Sequence, residues 1–301
     1  MLKVNDISRS FGDHRVLDGV SFDVEPGRMT GFLGANGAGK TTTMRIMLGV
    51  LKSDSGIVTW NGEPVTQAVR QRFGYMPEER GLYPKMKVAD QIAWLGRLHG
   101  LSSAKAASNT ERLLEELDLI ERANDKLEAL SLGNQQRAQV AAALVHDPEL
   151  LILDEPFSGL DPIAVDTVLR VLRQRAADGV PVLFSSHQLS VVEQLCDDLV
   201  IISGGAIKAS GGKDELRRRY GTPRYEVVVG SDAGWLRDMP GVRVTTMEGP
   251  RAIIEPTGAD GFRGGDEPLD QRVLKEAMSR GEVRAFTPIV PTLNEIFKEA
   301  I

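Results

Sequence analysis

A run of glycines interrupted by a lysine and two threonines is where the side chains of this sequence first look able to do chemistry. Gly34, Ala35, Asn36, Gly37, Ala38, Gly39, Lys40 and Thr41 satisfy the spacing G-x-x-x-x-G-K-[ST] in full, and Thr42 follows. Glycine lets backbone N–H groups turn inward onto phosphate oxygens, an approach that a Cβ would block. The Lys40 ammonium can rest on the β- and γ-phosphates of a nucleotide, and the Thr41 hydroxyl can reach Mg²⁺. A second candidate is Leu-Leu-Ile-Leu-Asp-Glu at 150–155, an apolar run ending in two carboxylates. Ligands of open α/β sheets bind beyond the carboxyl ends of the strands. Asp154 can there hold the metal, while Glu155 orients and deprotonates a water. Phe-Ser-Ser-His at 184–187 delivers His187 to the same edge, where its imidazole can stabilise charge on a departing phosphate. Taken alone, His187 reads as a surface histidine; its place after a third strand favours the catalytic role. The chemistry implied is phosphoryl transfer to water.

Such a site needs a sheet behind it. An apolar strand at Met29–Leu33 runs into the glycine loop, and a helical pattern through Met44 and Ile46 leaves it, aiming a positive helix end at the phosphates. Apolar runs at 150–153, 180–184 and 199–202 read as buried parallel strands, with helical periodicity between them. That alternation predicts an α/β fold with a mostly parallel sheet. Before the loop, Leu2 and Val4, then Val20, Phe22 and Val24, alternate like half-buried strands. From about 85 to 145 the period becomes helical, with Leu113, Leu114, Leu117 and Ile120 spaced along one helix face. After Gly221-Thr222-Pro223 the pattern changes to βαββαβ, which suggests a small ferredoxin-like α+β domain.

Composition narrows the classes. The 301 residues carry 36 Lys and Arg against 42 Asp and Glu, a net charge of −6, so no long-range field draws nucleic acid. A single cysteine, Cys196, excludes an internal disulfide and a thiolate zinc cluster; it reads as a buried small apolar residue. No apolar run reaches the ~18–20 residues of a membrane span, and the polar N-terminal stretch is unlike a signal peptide. The chain is expected to be soluble and cytoplasmic.

Beyond the phosphate loop the sequence resembles the ATP-binding cassette (ABC) family over about residues 2–220. Leu-Ser-Leu-Gly-Asn-Gln at 130–135 is similar to the family signature LSGGQ, and Ser131 with Gly133 at a helix start makes an anion site on physical grounds alone. The resemblance implies a P-loop NTPase fold of ABC type: a mostly parallel sheet core, an N-terminal antiparallel β subdomain and a helical subdomain at about 85–145. It further implies ATP and Mg²⁺ as ligands, and a homodimer in which Ser131, Gly133 and Asn134 close over ATP held by the other copy. Asp161 resembles the loop residue across that interface, and Phe11 the aromatic that stacks on adenine, against the alternative of an ordinary edge phenylalanine. Two departures stand out. Leu132 and Asn134 replace smaller or amide residues of the signature, and Glu78 stands where the family has glutamine. A carboxylate at 78 is either a stronger Mg²⁺ ligand than an amide or a solvated side chain.

The C-terminal segment, 221–301, resembles the added domains of bacterial efflux ATPases, as does Met-Pro-Glu-Glu-Arg-Gly-Leu-Tyr at 76–83. The expected function is the ATP-hydrolysing subunit of a membrane exporter, docked on separately encoded transmembrane permease subunits at the cytoplasmic membrane face. Leu82, Tyr83 and Met86 are candidates for the docking patch, or else core residues of the helical block. The alternative is a soluble cassette ATPase of translation or DNA repair, a class usually marked by tandem cassettes or long coiled coils that this sequence lacks. A module without turnover fits poorly with an intact Glu155 and His187.

Overall fold

The computed structural model describes residues 1–79, 81–187, 189–257, 262 and 268–300. The chain divides into two compact units, the larger built on Met1–Lys213 and the smaller on Asp214–Glu299. Helix α8 (Lys213–Tyr220), placed by the sequence within the nucleotide-binding segment, therefore goes almost entirely with the second unit.

In the first unit, β1 (Leu2–Phe11) and β2 (His14–Val24) pair antiparallel, and β4 (Ser55–Trp60) and β5 (Glu63–Pro64) extend the sheet in the order β2-β1-β4-β5. Inward residues face each other across the ladder, Leu2 opposite Val24 and Val4 opposite Phe22. The central sheet holds β3 (Met29–Leu33), β6 (Phe73–Met76), β7 (Leu150–Leu153), β8 (Val182–Ser185), β9 (Asp198–Ser203) and β10 (Ala206–Gly212), in the order β10-β9-β3-β8-β7-β6. Its pairs are parallel except β9 with β10. Every residue of β3, β7 and β8 is buried, as expected of parallel strands covered on both faces. Strand β10 escaped the sequence reading. It follows a two-residue hairpin at Gly204 and Gly205, whose φ values of 55° and 78° match the turn that joins twisted strands.

The two sheets share a core with α1 (Lys40–Met47): Val4, Phe22 and Trp60 from one sheet meet Phe32, Ile152 and Leu183 from the other, together with Met44 and Met47 of the helix. Each such side chain contributes about 1.5–3 kcal/mol by leaving water. This packing fixes the start of α1 against the carboxyl ends of β3 and β7.

A short α2 (Gln67–Arg70) precedes β6, and the helical insert comprises α3 (Val88–Leu98), α4 (Ser103–Glu116) and α5 (Leu132–Leu144). The single helix face expected through Leu117 and Ile120 does not extend that far. Helix α4 ends at Glu116, Asp118 turns the backbone with φ 53°, and Ile120 opens a 3₁₀ turn at Ile120–Arg122. Leu113, Leu114 and Leu117 are buried as the pattern implies, whereas Ile120, beyond the break, is exposed. Helix α6 (Pro162–Ala177) starts on the Asp161 cap, with Pro162 at its first turn, and α7 (Leu189–Leu195) follows β8. Cys196 is buried after α7; a Cβ on Gly31 would stand 2.6 Å from its sulfur, so the glycine in β3 makes room for the thiol.

The second unit carries β11 (Arg224–Val229), a 3₁₀ turn at Gly234–Asp238, β12 (Val242–Glu248), β13 (Arg251–Pro256), α9 (Leu269–Arg280), β14 (Val283–Ile289) and α10 (Leu293–Ala300). Its strands are antiparallel in the order β12-β13-β11-β14, the arrangement of a ferredoxin-like sheet. Val227, Leu236, Ile254 and Val273 fill its core. The Tyr225 ring stacks on Phe286 at 4.7 Å and meets Phe262 edge-on at 4.9 Å.

Candidate active site

The glycine loop lies where β3 hands over to α1, and its glycines do different jobs. A Cβ on Gly34 would stand 2.5 Å from the Ile202 carbonyl oxygen, so only glycine lets the loop pass β9 this closely. Gly37 and Gly39 adopt φ 79° and 109°, in the left-handed region. Gly39 caps α1 without a side chain, leaving the first N–H groups of the helix to an external acceptor. Lys40 is buried, and its Nζ donates to the carbonyls of Gly34 at 2.6 Å and Ala35 at 3.2 Å. The ammonium is thus folded back across its own loop.

Asp154 leaves the end of β7 and is 1% exposed. Both its carboxylate oxygens accept hydrogen bonds, Oδ2 from the Thr41 hydroxyl at 2.9 Å and Oδ1 from the Ser185 hydroxyl at 2.5 Å. Ser185 Oγ in turn accepts from the Glu155 amide at 2.9 Å. Glu155 is held at φ 52°, a left-handed conformation that costs a non-glycine residue about 1–3 kcal/mol and that its surroundings must enforce. Beneath it, Phe157 meets Phe184 edge-on at 5.5 Å. The Glu155 Oε2 lies 2.9 Å from Nδ1 of His187. With Nδ1–H donating to the carboxylate, Nε2 is the ring nitrogen left for other work.

Asn36, Gly37, Gly39, Lys40, Thr41, Thr42, Glu78, Asp154 and Glu155 line one cleft of about 400 Å³, together with His14 and Val16. Glu78, two residues past β6, is exposed on its wall. The sequence reading missed His14 and Val16, which come from β2, because nothing in a β-hairpin points to a cleft formed only in three dimensions. It also missed Ser185, which links the Asp154 carboxylate to the Glu155 backbone amide, although Ser185 directly precedes the Ser186-His187 pair that drew attention. Phe11 stands 48% exposed at the end of β1 with the Arg9 guanidinium 4.9 Å from its ring centre, and it is not among the residues lining the cleft. Ala38 is buried within the loop.

Elsewhere in this unit, Ser131 caps α5, its hydroxyl accepting from the Asn134 amide at 3.3 Å, and the Asn134 carbonyl oxygen of the side chain accepts from Arg137 at 2.5 Å. Gly133 packs beside Gly159 and Leu160, and Asp161 caps α6 by accepting from the Ala164 amide at 2.8 Å. Ser131 and Leu132 are exposed, so this end of α5 faces outward rather than into the cleft of its own chain. Of the docking candidates, Tyr83 is 58% exposed, while Leu82 and Met86 are half-buried; Arg80 lies outside the described residues.

The residues present fit a nucleoside triphosphate with a divalent ion. The loop offers unpaired helix N–H groups, a buried ammonium and a close approach that a side chain would fill. Among the described residues no group of three or more His, Cys, Asp or Glu side chains could cage a metal by itself. One carboxylate and one hydroxyl suit Mg²⁺, which keeps waters and takes phosphate oxygens for its other positions.

The ABC transporter family model matches residues 17–158, and the C-terminal domain model of DrrA1-3-like ATP-binding proteins matches residues 211–301. Over the full length of the chain, and 98% of the relative, the sequence is 38% identical to the Bacillus subtilis ABC transporter ATP-binding protein YhaQ. The chain belongs to the ABC transporter ATP-binding protein family. It is an ATPase of membrane transport, binding ATP, and the soluble translation or DNA-repair reading finds no support among its relatives. The linearmycin resistance ATP-binding protein LnrL of Bacillus subtilis is 37% identical over 224 residues, 73% of this chain and 72% of that one. A solved structure of the ATP-binding subunit of an ABC transporter superposes with a TM-score of 0.69 at 33% identity, covering 73% of this chain and 93% of the other. Among the described residues no helix is long and apolar enough to cross a membrane.

Proposed function

We propose that this ABC protein drives an exporter, working as a homodimer on a separately encoded transmembrane permease at the cytoplasmic face of the membrane. The observation that carries the catalytic part is the meeting of Lys40, Thr41, Asp154 and Glu155 at one cleft, in a chain whose family is an ATPase of transport. In this reading the triphosphate lies along residues 34–42, with Lys40 exchanging its loop carbonyls for phosphate oxygens. Thr41 and Asp154 hold Mg²⁺, and Glu78 on the cleft wall adds a carboxylate to that charge balance. The metal supplies neutralisation of phosphate charge. Glu155 takes the proton of the attacking water, and His187, already bonded to Glu155, turns its other nitrogen toward the departing phosphate. Phe11, exposed at the end of β1, stacks on adenine in this reading.

The outward end of α5 supports the dimer. Ser131, Gly133 and Asn134 face away from their own cleft and would cover ATP bound to a second copy, with Asp161 beside them. ATP then favours the closed pair because the signature touches it only there, and a ligand shifts an equilibrium only through such a difference. Export is supported by the resistance function named for the linearmycin relative. Tyr83 is the proposed foothold for the permease. No nucleic-acid partner is proposed, and the C-terminal unit, Asp214–Glu299, is assigned to dimer contact or regulation.

Light scattering of the Glu155→Gln protein tests the pairing directly. With ATP and Mg²⁺ it should run as a dimer and revert to monomer on nucleotide removal; a monomer at saturating ATP would defeat the shared-site reading.

A further inference from the structure

Two buried amides on one face of α5 reach the backbone that carries the cleft's two outer carboxylates. Gln136 and Gln139 are three residues apart, hence on one side of the helix, and each is 4% exposed. The Nε2 of Gln136 donates to the backbone carbonyl of Glu155 at 3.0 Å. The Nε2 of Gln139 donates to the carbonyls of Pro77 at 2.7 Å and Glu79 at 3.2 Å, the residues on either side of Glu78.

These contacts fall where the backbone most needs holding. The Glu155 amide is tied to Ser185 and its carbonyl to Gln136, so the peptide units around its left-handed Cα are fixed from both ends. Glu78 lies outside any strand or helix, and Gln139 spans it like a staple. A primary amide inside a helix face has a solvation cost that only such bonds offset. The helix that carries both is stiff and begins at Ser131, its exposed cap.

We propose that Gln136 and Gln139 are positioning residues, Gln136 for Glu155 and Gln139 for Glu78, through which α5 sets the stance of both carboxylates. The inference rests on the reading above, in which those two carboxylates act on ATP and its metal. It adds a route by which whatever touches Ser131 is felt at the cleft: a small shift of α5 displaces both carboxylates together.

Methionine keeps the volume of each glutamine and removes the donor. ATP turnover of the full chain, Mg²⁺ titration, equilibrium nucleotide binding and the urea midpoint are compared for Gln136→Met and Gln139→Met. Both variants should lose roughly tenfold in kcat, the scale expected of a slightly misplaced catalytic group, with nucleotide affinity unchanged. Gln136→Met should lower kcat with the Mg²⁺ needed for half-maximal rate unchanged, and Gln139→Met should raise that Mg²⁺ requirement. Within Glu78→Gln, Gln139→Met should cost nothing further. Where a methionine variant fails to fold, Gln136→Asn and Gln139→Asn, one methylene short of their carbonyls, should show the same losses. Folded variants with wild-type kcat, or a Gln139 loss that multiplies fully with that of Glu78→Gln, would overturn the inference alone. Turnover that survives Glu155→Gln would instead remove the ATPase assignment of the cleft, and this inference with it.

Discussion

His187 and Glu155 meet at 2.9 Å from opposite sides of the protein surface: the imidazole is 58% exposed, whereas the carboxylate keeps only 12% of its surface. The enclosed partner is therefore the one whose chemistry the protein controls, and the ring reaches it from solvent.

Unequal losses follow from that contrast. Glu155→Gln should retain ATP binding and lose about 10²–10⁴ in turnover, the contribution of a general base. His187→Ala should lose less, roughly 10–10²-fold, since water can replace an exposed donor in part. Steady-state kinetics on both variants checks the order; a histidine loss larger than the glutamate loss would reverse the assignment of roles.

Glycine positions in the loop separate two effects. Gly34→Ala forces a methyl group to within 2.5 Å of the Ile202 carbonyl oxygen, so the loop must move away from β9. Gly37→Ala meets nothing within 4 Å and bears only the strain of φ 79°, about 1 kcal/mol. Isothermal titration with ATP should show near-complete loss of affinity for Gly34→Ala and a modest loss for Gly37→Ala. Lys40→Ala should weaken binding while preserving the thermal midpoint to within a few degrees.

Glu78→Gln restores the amide usual in the family. A carboxylate ligand binds Mg²⁺ more strongly than an amide, so the variant should lose roughly tenfold in kcat, as Gln139→Met does, and need several-fold more Mg²⁺ for half-maximal hydrolysis. An unchanged Mg²⁺ titration and rate would make Glu78 a solvated residue of the wall.

Acid sensitivity of the fold should concentrate at His146, outside the cleft. The rings of His99 and His146 stack at 3.8 Å, and His146 Nε2 lies 3.2 Å from the Phe73 carbonyl that opens β6. Burial, reinforced by the neighbouring His99, pushes His146 down from 6.5 to about 4. Between those values the unfolded chain takes up a proton that the folded chain refuses. Stability from the neutral ring is therefore full above pH 6.5 and drains as pH falls toward 4, by at most about 3 kcal/mol. Urea midpoints measured from pH 7 to 4.5 should fall more steeply for the wild type than for His146→Phe; parallel slopes would contradict the shift.

Much of this was readable from residue order, and the exceptions share a cause. The glycine loop, the strand that leads into Asp154, and the four strands and the Leu269–Arg280 helix of the second unit follow from local spacing, which the structure reproduces. The first helix of the expected βαββαβ order is only a 3₁₀ turn at Gly234–Asp238. Strand β10 went unseen because its pattern, Ala206–Gly212, has no apolar alternation and is defined by pairing with β9. The helix expected through Ile120 was broken by Asp118, where one positive φ outweighs a favourable period. Ser185, Gln136 and Gln139 are legible only through their partners, since a serine or a glutamine carries no periodic signal and its hydrogen bonds cross 30, 19 and 62 residues of sequence. Positions proposed to touch phosphate thus announce themselves by type, while those that hold the carboxylates still do not.

Cys196 has a practical consequence. It is 2% exposed, and burial pushes its thiol far above the range in which thiolate forms. A native chain whose one sulfhydryl resists maleimide needs no cysteine removal before labelling. Single cysteines placed on exposed Leu132 and Ile163 would carry fluorophores or spin labels as the sole reactive handles, so approach of two copies can be followed as a distance on otherwise unaltered protein.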